Sequence, residues 1–156
     1  NNITANTLNM LRKCLFFNNF AVHIILGPGY KHSIEKVQKY PNVKIYNNLK
    51  KVSSVMKNSD IAFTSAGRTL YELMSMNVPA LVIAQNDREA SHTLVKDNRY
   101  CLYLGKYDEL NMDIFKQGID HMFNNANRSK IYDNIKNLNL TSGIFNVLNL
   151  INEYKN

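Results

Sequence analysis

The stretch "TSAGRTLYEL", Thr64 to Leu73, holds the residue types best suited to a charged ligand. An apolar run ends in Ser65-Ala66-Gly67, and a helical pattern opens with Arg68 and Thr69 in its first turn. Small residues let a ligand approach the backbone, and the first amides of a helix have no intrahelical partner. Such a terminus is electropositive and favours an anion. Arg68 therefore stands where a helix ordinarily prefers Asp or Glu, and a negative group would make that cation welcome. Glu72 follows four residues on, opposite a packing face of Leu70, Leu73 and Met74. Two readings fit. Arg68 and Glu72 form a surface ion pair worth about 0.2–0.5 kcal/mol; or the amides and the Thr69 hydroxyl hold phosphate oxygens while Glu72 accepts two sugar hydroxyls. Spacing alone leaves both open.

Gln85-Asn86-Asp87-Arg88-Glu89 follows the next apolar run. Asn86 with Glu89 fits a capping box, which needs no ligand. Arg88 and His92, at i and i+4, put two potential cations on one helix face, which capping does not require. Arg68 and Arg88 are two of only five arginines. Gly27-Pro28-Gly29-Tyr30 reads as a turn, with a substrate wall as the second option. Asn47-Asn48 offers an amide and a carbonyl to a flat heterocycle, or simply turns the chain. His23 sits inside an apolar run and reads as packed core. No His/Cys/Asp grouping has metal spacing, and no G-x-G-x-x-G or Walker motif occurs. Neither a metal nor a cofactor is expected, and no Ser–His–Asp set assembles.

The elements that must position these residues alternate between helix and strand. Helices are expected at Ile3–Phe17 (capped by Asn2), Ile34–Tyr40, Leu49–Lys57, Arg68–Met76 and Asp87–Asp97, with closing helices at Met112–Asn124, Ser129–Leu138 and Ile144–Tyr154. Strands are expected at Phe20–Leu26, Val43–Tyr46, Ile61–Thr64, Ala80–Ala84 and Cys101–Leu104. Most strands are apolar along their whole length, as in a parallel sheet covered on both faces. Right-handed crossovers make such a sheet doubly wound, and ligands bind at the carboxyl ends of its strands. All four loops above fall there. A doubly wound domain that opens on a helix has nothing to cross over from, so a strand ahead of residue 1 is expected.

The 156 residues, 45% of them hydrophobic, suit one domain with a real core. No apolar run is long enough to span a membrane, and with no charged flank followed by an apolar h-region at Asn1-Asn-Ile-Thr-Ala, no signal peptide is expected. Cys14 and Cys101 read as free thiols, and a cytoplasmic setting is expected. Net charge is +7, but the lysines are scattered and no aromatics interleave with them. That balance suits an anionic small substrate or acidic partner at least as well as nucleic acid.

Taken together, "NVKIYNNLKKVSSVMKNSDIAFTSAGRTLYELMSMNVPALVIAQNDREASHTL" resembles the C-terminal half of nucleotide-sugar enzymes with the two-domain GT-B fold. The nearest likeness is to the spore-coat polysaccharide family and the UDP-sugar hydrolase of pseudaminic acid synthesis; the lipid II N-acetylglucosaminyltransferase is a more distant one. The likeness runs from Asn1 to about Gly105. It implies an α/β, Rossmann-like three-layer αβα domain with a mainly parallel sheet. It also implies a UDP-sugar or related nucleotide-sugar as ligand and an N-terminal domain of the same enzyme as partner. By the same resemblance Asn47 lines the base pocket, Ser65, Ala66, Gly67, Arg68 and Thr69 hold the diphosphate, and Glu72 grips the ribose. Asn86, Asp87, Arg88 and Glu89 face the sugar or phosphate. In the hydrolase relatives the general base is a His on the N-terminal domain. Where relatives have Glu-Asn-Gln this chain reads Gln85-Asn86-Asp87, and Asn77 stands where Gly is common before Val78-Pro79, a helix C-cap. Two other classes remain open: a non-catalytic interaction domain with a vestigial pocket, and a basic nucleic-acid-binding module.

Overall fold

A computed structural model describes residues 2–33, 40–138 and 140–153. Its strands are β1 (Val22–Leu26), β2 (Val43–Asn47), β3 (Ala62–Thr64), β4 (Ala80–Ala84) and β5 (Leu102–Lys106). Its helices are α1 (Ile3–Arg12), α2 (Ser53–Lys57), α3 (Arg68–Ser75), α4 (Asp87–Ala90), α5 (Met112–Phe123), α6 (Asn125–Lys136) and α7 (Gly143–Glu153). The helix expected over Ile34–Tyr40 falls on residues 34–39, outside those described.

Every strand pairing is parallel, as the apolar strand sequences require. The fold is α/β. The strands nevertheless form two ladders, β1-β2 and β3-β4-β5, rather than one. All five residues of β4 are buried, since strands flank it on both sides. β3 is only half-buried along its length.

Helices cover both faces. Phe115 of α5 stacks on Phe63 of β3, centroids 5.5 Å apart, and Gly118 lets α5 press against Leu104 and Leu81. The right-handed β3–α3–β4 crossover puts α3, with Leu70, Leu73 and Met74 buried, on the other face. α6 touches both α5 and α3, and Asn134 Nδ2 donates to the Arg99 carbonyl at 3.1 Å just ahead of β5. It therefore runs along the amino edge of the strands. α7 leaves Phe145, Val147, Leu148, Leu150 and Ile151 exposed. No helix among the described residues is long and apolar enough to cross a membrane.

Several expected boundaries move, each for a local reason. α1 stops at Arg12, and the segment to Phe17 closes as tight turns, with Leu15 left 95% exposed. The expected helix from Leu49 starts only at Ser53. α6 starts at Asn125, four residues early, because Asn124 both ends α5 and caps α6 by accepting from the Ala126 and Asn127 amides. His23 is not a core residue. It is exposed, stacks on Tyr46 and shares a 3.1 Å hydrogen bond with the Tyr46 hydroxyl. Cys14 and Cys101 are free thiols.

Candidate functional site

Because β3, β4 and β5 are parallel in one ladder, the loops after them open on one rim. The segment after β3 reaches that rim as Ser65-Ala66-Gly67 and enters α3. Ala66 is buried, 1% exposed, and anchors the turn, while Arg68 and Thr69 project outward. Gly67 is the N-cap of α3 and supplies no side-chain cap, and no acidic residue occupies the first turn. α1, α4, α5 and α6, by contrast, are each capped by an asparagine side chain. The first-turn amides of α3 thus face the rim without a side-chain acceptor, next to a cation. That arrangement attracts an anion.

The far end of α3 is closed as firmly as its start is open. Asn77 takes a left-handed conformation (φ 58), its amide bonds the Met74 carbonyl at 2.9 Å, and the Val78 amide bonds the Leu73 carbonyl at 2.9 Å. This is a Schellman motif with asparagine in the position glycine usually takes. The expected C-cap role of Asn77 holds.

Arg68 and Glu72 are both exposed. Among the described residues the ion pairs are Arg99–Asp97 and those of Lys106 with Asp87, Asp108 and Glu109; neither Arg68 nor Glu72 enters one. The surface-pair reading of these two residues is therefore not what the structure shows. Glu72 offers a bare carboxylate one turn in from the helix mouth.

The loop after β4 behaves mainly as architecture. Asn86 Oδ1 accepts from the Glu89 amide at 3.0 Å, and Glu89 Oε2 accepts from the Gln85 amide at 2.8 Å. The expected cap forms, with the reciprocal bond reaching Gln85. The helix it caps is short: α4 ends at Ala90, the Ser91 hydroxyl folds back on the Arg88 carbonyl, and His92 is extended. The expected helix to Asp97 is thus broken. Arg88 and His92 do not share a helix face: Arg88 is exposed, and His92 is half-buried in the segment after α4.

Asp87 is drawn to Lys106 at the end of β5, Oδ1 to Nζ 3.1 Å, and Glu109 lies equally near. Hydrogen bonds donated to Asp87 and then to Glu109 hold the Lys106 ammonium above its usual range. Sequence reasoning passed over this 106–109 loop; its place after the last strand was the signal available.

The remaining candidates divide. Asn47 ends β2 and is exposed at the carboxyl end of the β1-β2 ladder, and Asn48 follows with φ 52 and its amide on the Leu26 carbonyl at 2.9 Å. Gly27–Tyr30 is a turn closed by the Tyr30 amide on the Gly27 carbonyl at 3.0 Å. Its Tyr30 hydroxyl accepts from Asn2 Nδ2 at 2.9 Å, which ties it to the start of α1. Two concavities among the described residues lie elsewhere: one around Asn18, Phe20, Asn42 and Lys44, the other between His23, Tyr46 and α2. The rim beside α3 is open rather than enclosed.

The profile of the "Glycosyltransferase family 28 C-terminal domain" matches residues 4–144. The chain is similar to "Uncharacterized protein MJ1062" of Methanocaldococcus jannaschii, 27% identical over 124 residues, covering 75% of this chain and 24% of that protein. It is also similar to a Clostridium tetani enzyme, UDP-N-acetylglucosamine--N-acetylmuramyl-(pentapeptide) pyrophosphoryl-undecaprenol N-acetylglucosamine transferase. There the identity is 26% over 161 residues, covering 99% of this chain and 42% of the enzyme. The chain thus spans less than half the length of either relative.

Proposed function

The chain belongs to the glycosyltransferase family 28 C-terminal domain family, and from that premise we propose that it is the half of such an enzyme that holds a nucleotide-sugar donor. The donor is a UDP-sugar, with a CMP-sugar as the other pyrimidine option. One observation carries the proposal: α3 opens at the carboxyl rim with no side-chain cap and no first-turn acid, beside Arg68 and Glu72, which enter no ion pair among the described residues.

In this reading the Gly67–Thr69 amides and the Thr69 hydroxyl donate hydrogen bonds to diphosphate oxygens, and Ser65 and Ala66 keep the approach narrow. Glu72 receives the ribose hydroxyls. Asn47 presents backbone groups to the base. When the glycosidic bond to phosphate breaks, negative charge grows on the departing diphosphate. The helix start and Arg68 or Arg88 stabilise that charge without having to reorganise. Asn86 and Glu89 hold the loop that carries Arg88, and Asp87 is steadied by Lys106.

The group that attacks the sugar, an acceptor hydroxyl or a water, is activated by the N-terminal domain of the same enzyme. That domain forms the second wall of the open rim, and the exposed apolar side chains of α7 give it a surface to meet. The isolated chain accordingly binds donor and turns over nothing. The resemblance to spore-coat and pseudaminic-pathway enzymes supports a reaction in surface polysaccharide or nonulosonic acid synthesis.

Calorimetric titration with UDP and UDP-N-acetylglucosamine tests the reading. Saturable heat at sub-millimolar ligand, lost in Glu72→Ala, is expected; no heat at millimolar ligand, or full binding by Glu72→Ala, overturns it.

A further inference from the structure

The end of β5 breaks the alternation that the strand otherwise keeps. Leu81 pairs with Leu102 and Val82 with Tyr103, but Ala84 pairs with Lys106. Leu104 and Gly105 therefore stand opposite Ile83 alone, which is a β-bulge. Gly105 holds φ 101, and a Cβ added there would meet nothing within 4 Å. The bulge needs glycine for its backbone conformation, not for space.

The consequence is a change of face. Leu81 and Leu104 both lie against Gly118 of α5. Strict alternation would send Lys106 to that apolar side with Leu104. Residues paired across a ladder share a face, so Lys106 joins Tyr103, Val82 and Ala84 on the opposite one. β3, β4 and β5 follow one another in order, and right-handed crossovers set α4 on the same face as α3. The bulge thus aims Lys106 at the start of α4.

There the ammonium meets Asp87 Oδ1 and Glu109 Oε1, each at 3.1 Å, with Asp108 Oδ2 at 4.0 Å. Asp108 and Glu109 belong to the turn that Lys106 itself opens, closed by the Glu109 amide on the Lys106 carbonyl at 3.1 Å. Asp87 comes from another loop. The Tyr107 amide bonds the Ala84 carbonyl at 2.9 Å and ties the two loops together through the backbone. The Lys106 side chain is 26% exposed and that of Asp87 is 92% exposed, so the lysine is the fixed partner and the carboxylate is drawn to it.

Asp87 needs that partner because of where it stands. Neighbouring strands run about 4.8 Å apart, so the loop after β4 leaves the rim beside the mouth of α3. The other acid in the first turn of α4, Glu89, already accepts from the Gln85 amide. A free Asp87 carboxylate would repel the anion that α3 attracts. We propose that Lys106, re-aimed by the bulge at Gly105, is a positioning residue of the donor site. It draws Asp87 toward β5 and offsets its charge, so that a diphosphate at α3 meets Arg68 and Arg88 without an opposing carboxylate. Lys106 touches no ligand itself. The inference rests on the donor-binding reading and adds to it a residue outside all four loops picked out in the sequence.

The test is an amide NMR titration with UDP and with uridine of the parent chain, Lys106→Gln, Asp87→Asn and the double variant; the same spectra report whether each chain folds. Lys106→Gln should weaken UDP about 3- to 10-fold at low salt and leave uridine unchanged. The loss should shrink to within about twofold at about 0.5 M salt, where charges are screened over a few ångströms. Asp87→Asn should bind UDP at least as well as the parent, and should restore binding when added to Lys106→Gln. Lys106→Gln binding UDP like the parent overturns the inference. So does a loss that salt and Asp87→Asn both leave in place, or one that uridine shares equally, since either marks a merely structural role. If Lys106→Gln does not fold, Asp87→Asn decides alone, and weaker UDP binding by it overturns the inference. A parent chain that binds no UDP overturns the donor reading and this inference together, whereas a binding parent with an indifferent Lys106→Gln overturns this inference only.

Discussion

Arg68 and Glu72 stand one helical turn apart on α3, both exposed, and among the described residues neither forms an ion pair with the other or with any third residue. An i, i+4 pair in this order is the less favourable one for a helix, and a ligand gives each group a separate task. Arg68→Ala and Glu72→Ala should each shift stability by no more than about 0.5 kcal/mol. A hydrogen bond to a charged group contributes about 1.5–3 kcal/mol, so Arg68→Ala should weaken UDP binding about 10- to 100-fold. Glu72→Ala should weaken UDP but not inorganic pyrophosphate, which has no ribose. Calorimetry with the two ligands checks the split. Equal losses for both would remove the ribose role.

Asn86 should behave in the opposite way. Its side chain caps α4 through the Glu89 amide at 3.0 Å, and removing such a cap costs about 0.5–2 kcal/mol. The Asn86→Ala variant should lose stability of that order in urea melts and change UDP affinity less than Arg68→Ala does. A larger affinity loss with unchanged stability would make Asn86 a direct ligand contact.

Asn77 gives a test of the closed end of α3. A left-handed backbone is free of strain only for glycine, and Asn77 holds φ 58. Asn77→Gly should raise stability by up to about 0.5 kcal/mol, and Asn77→Val should lower it by at least about 1 kcal/mol. Thermal melts of the three chains decide it; a neutral valine would mean the Schellman bonds contribute nothing.

Much of this was legible in the sequence, and the failures share a cause. Ala80–Ala84 is apolar throughout because strands flank it on both sides, and its boundaries were read correctly. The start of α3 was legible because the small-residue break precedes a clean helical face. Asp87–Asp97 was misread because periodicity ignores competition: the Ser91 hydroxyl satisfies the Arg88 carbonyl and helps end α4 at Ala90. His23 was misread because a strand residue is buried only if something covers its face, and here that face is a hollow beside α2. The division of the sheet is likewise a matter of what lies between strands, which apolar content cannot report. The Lys106 cluster joins residues from two loops by charge, with no local motif to announce it.

The thiols give a pH test. Cys101 is fully buried, and burial first, with Asp97 nearby second, pushes its thiol up to about 11. The folded state holds this proton more tightly than the unfolded state. The resulting stabilisation is complete below the usual thiol range near 9.0 and is lost as pH rises through about 11. At pH 8 a thiol reagent should therefore modify the half-buried Cys14 in the native protein and reach Cys101 only after denaturant is added. Two native thiols reacting at equal rates would contradict the packing around β5.

The most direct measurement is a backbone amide NMR titration of the chain with UDP, and with uridine as the comparison. The account predicts that the Gly67, Arg68 and Thr69 amides move most with UDP and stay still with uridine, while the Glu72 region responds to both. Largest shifts in the hollow of His23, Tyr46 and α2, or none at millimolar UDP, would contradict it.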